Sequence, residues 1–224
     1  MKIKLLADKV EKHINPILDE SGSIVFSSVD TIKKGDIYIL GLNPGGEIFI
    51  PIKRTLEELP LRHKNAYLDE IWGNRRNPKY PQGKHPLQAN LTILIQSIGY
   101  NPRTVFSSNL IFTRSRGQKG SLYTERTDIC WKVHQEFIKI IDPKCFIVFG
   151  NSKISPFQYI KDKYILKISD SINSGHGKWQ CFSCTGIIEG KERLLIGLPH
   201  LSRYYINKHP NVIEWITSKI SIVL

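Results

Sequence analysis

No stretch of this 224-residue chain reaches the 18 or so uninterrupted apolar residues of a membrane span, so no membrane partner is expected. The opening Met1-Lys-Ile-Lys-Leu-Leu-Ala-Asp8 turns charged too soon for a signal peptide, which makes the cytoplasm the expected location. Acidic residues are scarce, at 20 Asp plus Glu against 32 Lys plus Arg. The resulting charge of +12 suits a polyanion such as nucleic acid, although many basic proteins bind nothing in particular. Metal-binding cysteine patterns are wanting as well. Cys130 and Cys145 stand singly among apolar residues, and Cys181-Phe-Ser-Cys184 has no second close pair to complete a zinc or iron–sulfur site. His176 is flanked by Gly175 and Gly177 and reads as loop. Free thiols on a strand are expected, and no cofactor.

With 41% apolar content the chain can bury one sizeable core, and a single domain over residues 1–224 is expected. Strand and helix signals alternate. Ser23–Phe26 is a short extended piece, and Asp36–Leu40 is an apolar run of the kind buried on both faces of a parallel sheet. Residues 47–84 read as an irregular basic insertion with one short helix near 64–72. Leu87, Leu91, Leu94, Ile95 and Ile98 share a helical stripe ending at Gly99, and Val105–Phe112 reads as a strand. A second stripe, Ile129, Val133, Phe137, Ile140 and Ile141, is closed by Pro143; Cys145–Phe149 is a third buried strand, and 151–161 a short helix. Strands near 178–188 and 192–197 flank the turn-like Glu189-Gly-Lys191 and predict a hairpin, before a last helix with Val212, Ile213, Ile216 and Ile220 on one face. This order predicts an α/β three-layer sandwich whose central, mainly parallel sheet is covered on both sides.

Ligands in such folds bind beyond the carboxyl ends of the strands, and three polar residues lie at such ends. Tyr38-Ile-Leu-Gly-Leu-Asn-Pro-Gly-Gly46 runs from a strand into a turn that presents Asn43 on little side-chain bulk. Val105-Phe-Ser-Ser-Asn-Leu-Ile-Phe112 places Asn109, a poor strand former, inside a strand and ahead of a basic loop. Leu194-Leu-Ile-Gly-Leu-Pro-His200 delivers a histidine followed by Leu201, Ser202 and Arg203. Taken singly, each is more often a turn, a satisfied amide or a surface histidine than a site.

Together and in this order, the three segments resemble the uracil-DNA glycosylase superfamily. Its first motif is a strand followed by Gly-x-Asn/Asp-Pro, and its last is a strand followed by a His-containing loop. Ser107-Ser-Asn-Leu-Ile-Phe-Thr-Arg114 looks like its strand with a base-reading Asn, and Asp142–Gly150 is similar to its strand ending in Gly. Gly41-Leu-Asn-Pro-Gly45 is nearest to the single-strand-selective and mismatch-specific branches. The resemblance implies a monofunctional DNA glycosylase that acts on a nucleotide swung out of the stack, with no lysine placed as nucleophile. Asn43 would orient the attacking water and His200 would donate to the departing base. Gly41, Leu42, Gly45, Asn109 and Tyr80 would line the base pocket, with Asn109 bonding the pyrimidine edge and Gly45 standing where the strictly uracil-specific branch has a tyrosine. A 5-modified pyrimidine is therefore a substrate candidate beside uracil. Arg114, Arg116, Lys119 and Ser202 would meet phosphates, while Leu201 or Arg203 would fill the gap left by the flipped base. Phe49, Trp72 and Tyr80 compete for the role of stacking aromatic. His200 runs straight into Leu-Ser-Arg rather than the family's Pro-Ser, so its loop is shorter. A monomer is expected, in a setting of DNA repair or of defence against foreign DNA. Two other readings stay open: a non-catalytic DNA binder with the same pocket, and a glycosidase acting on free nucleosides.

Overall fold

A computed structural model describes residues 2–73, 79–115 and 122–224. Its centre is a six-stranded sheet of order β2-β1-β3-β6-β5-β4, made of β1 (Ile37–Gly41), β2 (Phe106–Asn109), β3 (Cys145–Phe149), β4 (Ile168–Asn173), β5 (Gln180–Ile188) and β6 (Lys191–Leu198). β2, β1, β3 and β6 are mutually parallel; β5 is antiparallel to both of its neighbours. The expected hairpin is β5–β6, turning through Glu189 (φ 49°) and Gly190 (φ 75°). Two successive left-handed residues match the twist of a two-residue hairpin turn.

Alternation along the strands divides the core in two. Tyr38, Leu40, Phe146 and Val148 face one side, against α1 (Lys2–Ile14), α5 (Tyr123–Ile141) and α6 (Pro156–Lys163). Ile37, Ile39, Ile147 and Ile196 face the other, against α4 (Pro86–Ser97) and α7 (Pro210–Val223). Helices on both faces of a mostly parallel sheet make three layers, as the sequence predicts. Cys181 and Cys184 fall three residues apart on β5 and so enter opposite cores, which prevents both thiols from meeting one ion.

Some elements depart from the sequence reading. The insertion is less irregular than expected: besides α3 (Ala66–Asp69) it holds α2 (Ile52–Glu57), whose Ile52 and Leu56 are buried in the α5-side core. β4 lies in a stretch that carries no strand signal in the sequence, and α1 forms from the charged opening residues, for which the sequence reading predicts no element. Segment 22–26 flanks β2, bridging Gly22 to Thr113 and Val25 to Ser108. No helix among the described residues is long and apolar enough to cross a membrane.

Candidate active site at the strand ends

The chain passes from β1 to β2 on one side of β1 and comes back to β3 on the other, so a crevice opens where the crossovers diverge. Gly41, Asn109 and Phe149 occupy the carboxyl ends of these three strands. Gly41 and Asn109 are register partners, and all three residues face the α4 side. A Cβ built on Gly41 would stand 2.2 Å from Asn109 Oδ1 and 2.8 Å from the Phe149 ring. The amide and the ring thus lie directly over bare backbone. Phe149 in turn meets the His200 imidazole edge-on, with ring centroids 5.5 Å apart. Asn109, Phe149 and His200 form one contiguous group around Gly41.

Asn109 is 5% exposed, yet its side-chain amide has no hydrogen-bond partner among the described residues. The amide is not among the fully enclosed polar atoms that lack a partner, so water reaches it and a ligand could take the place of that water. Its backbone, in contrast, is held firmly. The buried His134 on α5 sits within bonding distance of the Asn109 carbonyl (3.0 Å) and the Leu110 carbonyl (3.3 Å) through Nε2, and of the Tyr38 hydroxyl (2.7 Å) through Nδ1. Carbonyls only accept, so Nε2 carries the proton and Nδ1 accepts from Tyr38. Burial pushes the His134 pKa down to about 4, consistent with a neutral ring at pH 7.

His200 has a defined tautomer too. Its Nδ1 takes the Ser202 backbone N–H (3.2 Å) and lies 2.8 Å from Ser202 Oγ, so in the neutral ring the proton sits on Nε2. The protein packed around the ring lowers its pKa, and Arg203 and His85 add to the shift. An edge of the ring stays exposed, and solvent there offsets part of the effect; its sign alone makes His200 neutral at pH 7.

Asn43 is half-buried two residues beyond Gly41. Its NH2 donates to the Pro44 carbonyl (2.8 Å), to Ser115 Oγ (2.9 Å) and weakly to the Ser115 carbonyl (3.4 Å). Carbonyl acceptors decide the orientation of the amide and leave Oδ1 as the end available to a ligand. Arg114 reaches back from the β2 loop to the Gly45 carbonyl. The first two strand-end loops are thereby stitched together. Gly45 itself is exposed, and a Cβ there would meet nothing within 4 Å.

Several predicted site residues lie elsewhere. Leu201 is 0% exposed in the α4-side core, its carbonyl held by Asn90 Nδ2 at 2.8 Å, so its side chain cannot enter DNA. Leu42 is buried toward α5 and offers a ligand only its backbone. Arg114 is half-buried on the Gly45 turn and braces it instead of standing free for phosphate. Ser202 serves His200 directly, and Arg203 is exposed beside it. Tyr80 packs edge-on against His85 (5.3 Å), one step out from the central group. Trp72 is tied to Glu70 and packed on Phe26, Tyr67 and His85, while Phe49 points into solvent. The aromatic at the site is Phe149, a strand-end residue that reads as ordinary core in the sequence. Arg116 and Lys119 lie outside the described residues, as do Arg75 and Arg76 of the insertion. A cavity of about 340 Å³ bordered by Val25, Leu59, Arg62 and Glu70 does not include Asn43, Asn109 or His200.

No protein-family model and no curated protein matches the chain.

Proposed function

We propose that this chain is a monofunctional DNA glycosylase of the uracil-DNA glycosylase type, hydrolysing the N-glycosidic bond of a flipped uracil or 5-modified pyrimidine. The observation that carries this reading is the Asn109 amide, buried, unpartnered among the described residues, and set over Gly41 beside Phe149 and His200. A nearly buried amide with no protein partner among the described residues suits a ligand that supplies both a donor and an acceptor, as the Watson–Crick edge of a pyrimidine does. The parallel order β2-β1-β3-β6, with the three motif residues at its carboxyl ends, supports a glycosylase-like fold.

The chemistry follows from the tautomers. Breaking the glycosidic bond leaves negative charge on the base and positive character on the sugar. A neutral His200 with its proton on Nε2 donates to the base oxygen where charge grows. Asn43, its NH2 already committed, turns Oδ1 to the attacking water and orients it without taking its proton. The open space at Gly45 accommodates a 5-substituent. An excess of positive charge favours DNA over free nucleosides.

Oligonucleotides carrying uracil, hydroxymethyluracil or glucosylated cytosine, incubated with the protein and then treated with alkali, test the reading. Strand breaks that vanish in Asn43→Ala and fall about 100-fold or more in His200→Ala are expected. Binding without breaks would instead mark a non-catalytic binder, and activity restricted to nucleosides a small-molecule glycosidase.

A further inference from the structure

Base flipping leaves a hole in the duplex that something must fill; of the two side chains of the last loop expected to do so, Leu201 is buried, and Arg203, although exposed, is charged rather than apolar. Five and six residues after Asn43, Ile48 and Phe49 are 71% and 69% exposed, on the loop that continues directly from the Gly45-Gly46 turn. Two adjacent large apolar side chains held in water are unfavourable unless something covers them.

The tip that carries them is braced at both ends. Upstream, Arg114 grips the Gly45 carbonyl and Ser115 holds Asn43. Downstream, Ser21 Oγ donates to the Ile48 carbonyl (3.0 Å), Gly22 N–H donates to the Ile50 carbonyl (2.9 Å), and Ile52 N–H donates to the Glu20 carbonyl (2.9 Å). The span from Asn43 to Phe49 is at most about 20 Å at full extension, so the tip stays close to the water-orienting amide. Lys53, the second residue of α2, is exposed, and the chain as a whole carries +12, which favours a polyanion over a basic or neutral partner.

We infer that Phe49, supported by Ile48, is a duplex wedge that inserts into the base stack at the position vacated by the extruded nucleotide. The inference rests on the DNA reading above and assigns the gap-filling role to the first strand-end loop in place of the last. Stacking of an aromatic ring between base steps requires a preorganised, projecting apolar tip, which is what the two braces supply.

The test uses the full chain and a duplex bearing a tetrahydrofuran abasic analogue with 2-aminopurine beside it, whose fluorescence rises on unstacking. The wild type is expected to raise the signal; Phe49→Ala is expected to abolish the rise and weaken duplex binding on the order of tenfold. Excision from single-stranded DNA and the thermal midpoint are expected to stay unchanged, because Phe49 is a surface residue, and Phe49→Leu should restore most of the signal. Equal fluorescence and equal duplex excision in the wild type, Phe49→Ala and Ile48→Ala would overturn the wedge while leaving the glycosylase reading intact. A wild type that unstacks the duplex yet releases no base from any substrate would support the wedge and sink the glycosylase reading. Failure to bind duplex DNA at all would overturn the wedge, and failure to release a base from single-stranded DNA as well would overturn the glycosylase reading.

Discussion

The Asn109 amide covers Gly41 so closely that a methyl group on Gly41 would sit 2.2 Å from its oxygen. Because the two residues are partners across parallel strands, the clash cannot be relieved by a small rotation of either backbone. Gly41→Ala is expected to displace the amide and the Phe149 ring, lowering base excision ~100-fold while costing about 1–3 kcal/mol of stability. Alkali-revealed strand breaks and urea unfolding measure the two effects separately.

Asn109→Leu should divide function from stability. Its amide makes no hydrogen bond within the protein among the described residues, so replacing it with an apolar side chain of similar size breaks no internal bond. Stability is expected to stay within about 1 kcal/mol of wild type or to rise, while excision falls ~100-fold or more. A large loss of stability would show that the amide has an internal structural role.

Ser115→Ala removes the 2.9 Å acceptor that holds the Asn43 NH2 and loosens the amide. Since Asn43 is assigned to the water and not to the base, kcat is expected to fall about tenfold with little change in KM. A change confined to KM would move Asn43 from the water to the base.

Acid should weaken the fold through His134. Its native pKa lies near 4, against about 6.5 for an unfolded histidine, so between these values the unfolded chain binds a proton that the native one refuses. Stability contributed by the neutral ring is complete above pH 6.5 and drains away as pH falls toward 4, by up to about 1.4 kcal/mol per pH unit. Urea midpoints at pH 7.5 and pH 5 should differ accordingly. His134→Gln should be less stable at both and should flatten the difference.

Much of this architecture is legible in the residues. The run Asp36–Leu40, the stripe from Leu87 to Ile98 and the turn at Glu189-Gly190 each carry a local signal strong enough to fix an element. β4 carries none, because Ile168–Asn173 is a largely exposed strand at the sheet edge without a clean apolar alternation. α2 is only six residues long and its N-cap, Pro51, makes no side-chain capping bond. The stripe of Leu6, Val10 and Ile14 in α1 is masked by the charges between those positions.

For the site, Asn43, Asn109 and His200 are visible because strand-end polar residues are conspicuous. Phe149 and His134 are not, since a strand phenylalanine and a helix histidine look like packing until register brings them against Gly41 and the Asn109 carbonyl. The sequence likewise leaves open whether Leu201 or Arg203 would fill the gap left by a flipped base. Burial of Leu201 removes the first of these, and its carbonyl is held by Asn90, more than a hundred residues away.

Each of the two cores sends one polar strut to the strand ends: His134 on α5 grips the Asn109 carbonyl, and Asn90 on α4 grips the Leu201 carbonyl next to His200. Damage at either strut would reach the strand ends at which the proposed site is built, through the Asn109 and Leu201 carbonyls. Thermostabilised forms of this protein are therefore best sought at the apolar positions of α5 and α4, with residues 134 and 90 left as they are.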